Sequence, residues 1–169
     1  MATEQEIQAW FTGRLPDGWF TGPPEVSVDN DEILVTGELA DVDLAPGTAD
    51  DGKAAARQAR IDRYREETRE ARIKIADEAE RQFGRKVAWA ARCGGEEKTF
   101  TTLSIPVMTR LRMPERKVLD TLVEGGVARS RSEALAWCVR LVGKHQGEWI
   151  EDLREALVKV GEVRGKGPA

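Results

Sequence analysis

Residues 99–142 read TFTTLSIPVMTRLRMPERKVLDTLVEGGVARSRSEALAWCVRLV. This stretch predicts an extended segment that ends at Pro114, then a helix, a glycine turn at Gly125 and Gly126, and a second helix capped by Ser130. A short strand followed by two amphipathic helices buries too little apolar surface to be stable alone, so we expect the strand to pair with another strand. The identity of the strand that pairs with it therefore bears directly on the function of the chain.

If residues 107–113 are extended, their side chains alternate between two faces. One face is long and cationic and carries Met108, Arg110 and Arg112. The other face is mostly apolar and carries Val107, Thr109, Leu111 and Met113. Beyond this segment, Pro114 and Glu115 favour a helix start, and Ser130 with Glu133 forms a capping-box pattern at the start of the second helix.

The segment from Val107 to Val142 resembles the ribbon-helix-helix repressors. Sequences of that family run as an alternating strand, a Pro-Glu helix start, a glycine-containing turn and an SRSEA-like start of the second helix, and the corresponding motifs here are TRLRMPE, EGGVA and SRSEAL. The resemblance implies an obligate homodimer in which two strands pair antiparallel and enter the major groove of double-stranded DNA. One departure is that a full hairpin leads into the strand in this chain.

The resemblance also implies the residues that contact DNA. They are Met108, Arg110 and Arg112 as base-reading residues, and Arg129, Ser130 and Arg131 as phosphate-binding residues. Arginine can contact guanine O6 and N7 with two hydrogen bonds, and a helix N-terminus attracts phosphate through its free N–H groups. The chemistry of these residue types agrees with the implied roles.

The chain before this stretch predicts an α+β domain. A long helix is predicted between two β-hairpins, an order of ββ-α-ββ that would form a small antiparallel sheet with the helix on one face. The predicted elements are a short helix over 4–13, strands near 25–29 and 32–38, the long helix over 53–83, and strands formed by 85–93 and 98–105. Leu15, Trp19 and Phe20 are expected to dock on the core of this domain.

Composition shifts divide the chain into regions. Residues 40–52, ADVDLAPGTADDG, predict a flexible acidic linker inside an N-terminal domain over 1–105. Residues 106–160 are predicted to form the ribbon-helix-helix-like dimerisation and DNA-binding unit, including a final helix near 148–160. Residues 161–169 are predicted to be a disordered tail.

The long predicted helix carries many arginines on one side. Acidic residues are interleaved with them, and this mixture favours a solvated, salt-bridged surface, with nucleic-acid contact as the alternative. The arginines of this face are Arg57, Arg60, Arg63, Arg65, Arg69 and Arg72.

The formal net charge of −4 is unevenly distributed. Residues 1–51 contain twelve acidic residues and one basic residue, a net charge of −11, whereas residues 52–169 contain 25 basic and 18 acidic residues, a net charge of +7. A basic region over residues 52–169 that follows an acidic N-terminal region is compatible with a polyanionic partner. The whole-chain pI of about 5.3 argues against indiscriminate binding to nucleic acid.

Several classes of site are disfavoured by the sequence. The only histidine is His145, and Cys93 and Cys138 lie far apart, so neither a zinc site nor a histidine-dependent catalytic set is expected. Phosphate-binding glycine motifs are also absent. We therefore expect no enzymatic activity and no cofactor. No long apolar run or leader-like segment is visible, so a cytoplasmic protein without membrane association is expected.

Two functions remain open from the sequence. The first is a sequence-specific DNA-binding transcriptional regulator that acts as a dimer, with the N-terminal domain as a sensor or as a surface for protein partners. The second is a non-enzymatic adaptor or assembly protein that uses the C-terminal unit for oligomerisation. Three features favour the adaptor or assembly function because all three can form protein–protein surfaces: the acidic N-terminal region, the long helix and the abundance of Trp.

Overall fold

The computed structural model describes residues 2–166. The chain divides after Pro106 into two compact units, an N-terminal unit and a C-terminal unit. The N-terminal unit contains α1 (Glu4–Arg14), β1 (Glu25–Val28), β2 (Glu32–Glu38), α2 (Asp50–Glu67), α3 (Arg69–Phe83), β3 (Lys86–Cys93) and β4 (Glu96–Thr99). The C-terminal unit contains α4 (Met113–Glu124), α5 (Arg131–His145) and α6 (Gly147–Lys166). The predicted α+β class is confirmed.

The four strands form one mixed sheet in the order β1-β2-β3-β4. β1 pairs antiparallel with β2, and β3 pairs antiparallel with β4, but β2 and β3 are parallel, with Val35 opposite Trp89. The predicted purely antiparallel sheet is therefore wrong. A helical connection carries the chain back to the starting end of β2 before β3 begins, and such a crossover produces a parallel pair.

The helical connection is broken into α2 and α3 at Thr68, whereas one continuous helix was predicted. At this bend Thr68 departs from helical geometry, with φ −97° and ψ 1°. Its hydroxyl donates to the Tyr64 carbonyl oxygen at 2.6 Å.

The core of the N-terminal unit lies between the helices and one face of the sheet. Alternate residues of the central strands, such as Ile33 and Val35, join a cluster that includes Ile7 and Phe11 of α1 and Ile61 of α2. The core-facing residues are completed by Tyr64, Ile75, Ala79, Trp89, Ala91 and Cys93. This arrangement gives a two-layer unit of helices on a sheet.

The aromatic residues before β1 dock on this core, as predicted. Trp19 packs edge-on against Tyr64 and Trp89, with ring centroids 5.6 and 6.3 Å apart. The Phe20 ring lies directly over Gly37 of β2, where a Cβ atom would be 2.0 Å from the ring. The absence of a side chain at Gly37 is what allows the aromatic loop to close on the sheet.

Residues 40–49, most of the predicted linker, form an irregular loop, and α2 begins at Asp50. Asp41 is held by Arg57 of α2 through two hydrogen bonds of 2.9 and 2.7 Å. The Arg57 guanidinium lowers the pKa of Asp41 to about 2. The beginning of the loop is therefore tied to α2.

The C-terminal unit is a helical hairpin of α4 and α5 followed by α6. Its buried residues are Leu119, Ala128 and Ala134, a small core for three helices. α6 continues to Lys166, so residues 161–166 are helical and do not form the predicted tail, whose last residues 167–169 lie outside the described residues. No helix within residues 2–166 combines the length and apolar character needed to cross a membrane.

We predict that Gly37→Ala destabilises the protein because the new methyl group would overlap the Phe20 ring. Overpacking of this kind costs about 1–3 kcal/mol, which a lower urea midpoint in circular dichroism would report. Gly13→Ala is the matched control, since no atom lies within 4 Å of its Cβ position. Equal midpoints for both variants would contradict the role given to Gly37.

Candidate functional site

The predicted base-reading residues lie in a segment without regular structure between β4 and α4. Residues 100–112 contain no strand, so the strand predicted at 107–113 is absent from the described single chain and α4 begins at Met113. Met108, Arg110 and Arg112 are all exposed, and Met108 is 97% exposed. Within the described chain, the backbone groups of residues 104–110 form no hydrogen bonds.

The segment is anchored where it enters α4. The Arg116 side chain donates to the Leu111 carbonyl oxygen at 2.7 Å, and Leu111 packs against the small core of the C-terminal unit. At the other end of α4, Gly126 has a φ of 74°, a left-handed conformation that suits glycine and ends the helix. The turn then leads into α5.

Ser130 acts as the N-cap of α5. Its hydroxyl oxygen accepts a hydrogen bond from the Glu133 backbone N–H at 3.2 Å, and the Glu133 carboxylate accepts one from the Arg129 N–H at 2.8 Å. The predicted capping pattern is therefore present, although the Glu133 carboxylate contacts the N–H of the residue before the cap. The same interactions occupy part of the donor set that the resemblance assigned to a phosphate.

The other predicted phosphate-binding residues, Arg129 and Arg131, differ in their surroundings. Arg131 forms a two-point ion pair with Asp120 of α4, with hydrogen bonds of 2.6 and 2.8 Å. This contact lowers the pKa of Asp120 and braces α5 against α4. The Arg129 side chain is exposed and has no ion pair within residues 2–166. Of the two predicted phosphate-binding arginines, Arg129 is therefore the one whose charge is not paired with a carboxylate of the described residues.

The C-terminal unit exposes much apolar surface. Val107 is 85% exposed, Val139 of α5 is 65% exposed and Trp149 of α6 is 58% exposed. Further exposed apolar side chains on these two helices are Leu141, Val142, Leu153, Leu157, Val158, Val160 and Val163. So many exposed apolar side chains on two helices make this unit a candidate for interaction with another protein surface.

The predicted solvated arginine face of residues 57–72 is wrong at Arg72. Arg72 is only 7% exposed, and its guanidinium lies 4.8 Å from the centre of the Phe100 ring. It donates to the Thr68 hydroxyl at 3.0 Å and to the Arg65 carbonyl oxygen at 2.7 Å. The helical spacing could have indicated this burial, because Arg72 lies three residues before the apolar Ile75 and therefore on the same side of the helix.

Comparisons with known proteins add a family assignment. Residues 5–99 match the family described as Rv1265-like protein, N-terminal domain, and residues 112–164 match the Mb1296 C-terminal domain. The chain belongs to the Rv1265-like family. It is 52% identical over 159 residues to the uncharacterised proteins Rv1265 of Mycobacterium tuberculosis and Mb1296 of Mycobacterium bovis, covering 94% of this chain and 69% of each relative. No solved structure gave a significant match.

The Rv1265-like assignment corrects the resemblance inferred from the sequence. The C-terminal residues match the Mb1296 C-terminal domain, and no ribbon-helix-helix family is detected, so the assignment to those repressors is wrong. The motifs TRLRMPE, EGGVA and SRSEAL combine a proline near a helix start, a glycine after a helix end and an N-cap. Any two consecutive helices can share these local signals.

We predict that Ser130→Ala lowers the free energy of unfolding by about 1 kcal/mol, because α5 loses its N-cap. Ser130→Asp is the matched control, since its carboxylate can accept the same hydrogen bond from the Glu133 N–H. Urea unfolding followed by circular dichroism at neutral pH measures both variants. Unchanged stability of Ser130→Ala would show that the cap contributes little to the fold.

Proposed function

We propose that this protein is a homodimeric, sequence-specific regulator that binds double-stranded DNA through its C-terminal unit. Residues 107–112 of two copies would pair as an antiparallel ribbon in the major groove. The observation that carries the proposal is an exposed, cationic segment without regular structure, whose backbone groups have no partners among the described residues and which leads into helices with exposed apolar side chains. No catalytic role is proposed.

The backbone of the segment supports pairing with a second copy. The N–H and C=O groups of residues 104–110 have no partners in the part of the chain that is described. An extended segment with unpaired backbone groups is a template for strand addition. Antiparallel pairing with the same segment of a second copy is two-fold symmetric, so one contact satisfies both chains.

The exposed apolar side chains of α5 and α6 also support a second copy of the chain as the partner. Among the described residues of the C-terminal unit, 107–166, three form the buried core, whereas α5 and α6 expose side chains such as Val139, Val142 and Trp149. Burying apolar surface stabilises an assembly by about 25 cal/mol per Å². A second copy supplies both a strand for the segment and an apolar face of matching chemistry.

The charges of the segment and of the following turn suit DNA. Arg110 and Arg112 are exposed and lie two residues apart, so both would point to the same face if the segment pairs as a strand. Arg129 carries an unengaged charge near the start of α5. In this proposal Arg110 and Arg112 contact base edges, with Met108 beside them. Arg129 and the backbone near Ser130 contact phosphate. Arg131 instead holds α5 against α4 through Asp120.

We predict that the purified protein is a dimer and that Val139→Asp shifts it toward monomer. The charge would be placed on the apolar surface that the second copy is expected to cover. Light scattering coupled to gel filtration measures the change over a range of concentrations. Lys144→Asp, which changes the charge of the same helix at an exposed polar position, is the control and should stay dimeric. A monomeric parent protein would contradict the proposal.

We predict binding to duplex DNA that weakens steeply with salt, because phosphate contacts release counterions. Fluorescence polarisation at several salt concentrations measures the affinity and its salt slope. Arg129→Ala should lower that slope by about one, and Arg110→Ala/Arg112→Ala should remove sequence discrimination. Ser130→Asp should weaken binding while keeping the cap, because its carboxylate would face the phosphate.

The control for these variants is Arg63→Ala/Arg81→Ala, which removes the same charge from the N-terminal unit. This variant should bind DNA like the parent protein. Equal affinity and discrimination for the Arg110/Arg112 variant and the parent would contradict the proposed ribbon, as would the absence of any binding at low salt.

The alternative is a non-enzymatic adaptor or assembly protein. The observation that favours it is the apolar surface of α5 and α6, which a different protein could also cover. A dimer without DNA affinity that retains a defined protein partner after nuclease treatment would favour this alternative. The acidic N-terminal residues would then be available as a further protein surface.

A further inference from the structure

A cleft of about 560 Å³ opens in the N-terminal unit where α2 and α3 meet. Three arginines line it, Arg65 at the end of α2 and Arg69 and Arg72 at the start of α3. Trp89 of β3 and Phe100, which follows β4, also line it. The volume lies within the range of small-molecule sites.

Arg72 is the decisive residue of this cleft because its charge is buried without a counterion. It forms no ion pair with any carboxylate in residues 2–166, and its hydrogen-bond acceptors are the neutral Thr68 hydroxyl and Arg65 carbonyl oxygens. A buried charge is normally paired, since removing it from water is costly. Burial accordingly lowers the pKa of Arg72, although arginine remains protonated.

The Phe100 ring partly compensates the Arg72 charge from one side, with the guanidinium carbon 4.8 Å from the ring centre. Two donors of the guanidinium are used by Thr68 and Arg65, and the remaining N–H groups have no acceptor among the described residues. The cleft therefore presents a positioned cation with unused hydrogen-bond donors.

The other charges of the cleft leave it electropositive. Asp62 lines the cleft but is paired with Lys98 at 2.6 Å, and this contact lowers the pKa of the Asp62 carboxyl. Glu66 is the other acidic residue of the lining. Two acidic side chains, one of them already paired, face three arginines. A bound dianion would balance this excess of positive charge better than a single carboxylate would.

The apolar part of the lining points to more than a free inorganic ion. Ile73 and Ala76 of α3 and Val87 of β3 extend the wall beyond the arginines. Ile73 is exposed even though it lies on the cleft. An organic group attached to the anion would cover these side chains and remove them from water.

We infer that this cleft binds a small organic phosphate, with its phosphate group on Arg72 and Arg69 and its apolar or planar body against Ile73, Ala76 and Val87. Arginine suits this ligand because its planar donors match phosphate oxygens in pairs. The site lies wholly within the N-terminal unit, so it is independent of the DNA contacts proposed above. Occupancy would give the N-terminal unit a ligand-sensing role.

Isothermal titration calorimetry of the full chain tests the inference. The probes are adenosine 5′-monophosphate, adenosine 5′-triphosphate, inorganic phosphate and a 5′-phosphorylated single-stranded oligonucleotide. We expect a nucleotide to bind more tightly than inorganic phosphate. Arg72→Gln should weaken nucleotide binding at least tenfold, with Arg69→Gln also weakening it. Because Arg72 is buried, Arg69→Gln tests the site with an exposed position whose loss leaves the core intact.

Arg81→Gln, which removes the same charge from α3 outside the cleft, should bind like the parent protein. Equal weakening by Arg81→Gln and Arg69→Gln would overturn the inference, because it would indicate nonspecific attraction. So would the absence of binding by every phosphate probe at millimolar concentration. In the Arg110→Ala/Arg112→Ala variant, which lacks the proposed base-contacting arginines, tighter binding of the oligonucleotide than of either mononucleotide would overturn the small-molecule assignment. Arg110→Ala/Arg112→Ala should leave nucleotide affinity unchanged, so failure of the DNA proposal is distinguishable.

Discussion

The parallel pairing of β2 with β3 is the constraint on which the N-terminal unit depends. It requires the chain to return from one end of the sheet to the other between residues 38 and 86, and a helical connection meets that requirement. The connection consists of two helices that meet at Thr68. The mixed sheet and the helical crossover that covers one of its faces both follow from this single pairing.

The bend at Thr68 also decides where the arginines of the connection point. Arg72 follows the bend by one turn, and its guanidinium spans the junction by donating to the Thr68 hydroxyl and the Arg65 carbonyl oxygen. Its stacking on Phe100 links the helices to the chain beyond β4. One buried cation therefore joins the two helices and contributes to the electropositive cleft, so the junction and the proposed ligand site share the same side chain.

The C-terminal unit is stabilised more by local interactions at its helix ends than by a large core. Its helices have well-formed ends, such as the Ser130 cap and the proline near the start of α4, and the Asp120–Arg131 ion pair ties α4 to α5. Exposed ion pairs contribute little stability, however, and the buried core is small. A unit whose helices are locally well specified but whose apolar faces are uncovered is suited to assembly, and the proposed dimer and the adaptor alternative both use this property.

The sequence by itself determined the α+β class, the first hairpin, the short first helix and the Ser130 cap, because these depend on signals within a few residues. The same local signals produced the incorrect repressor assignment, since caps and turns are shared by unrelated helix pairs. Only the tertiary structure decided the parallel pairing of β2 with β3, the bend at Thr68 and the burial of Arg72. Each of these depends on distances between segments far apart in the chain, which no local pattern of residues encodes.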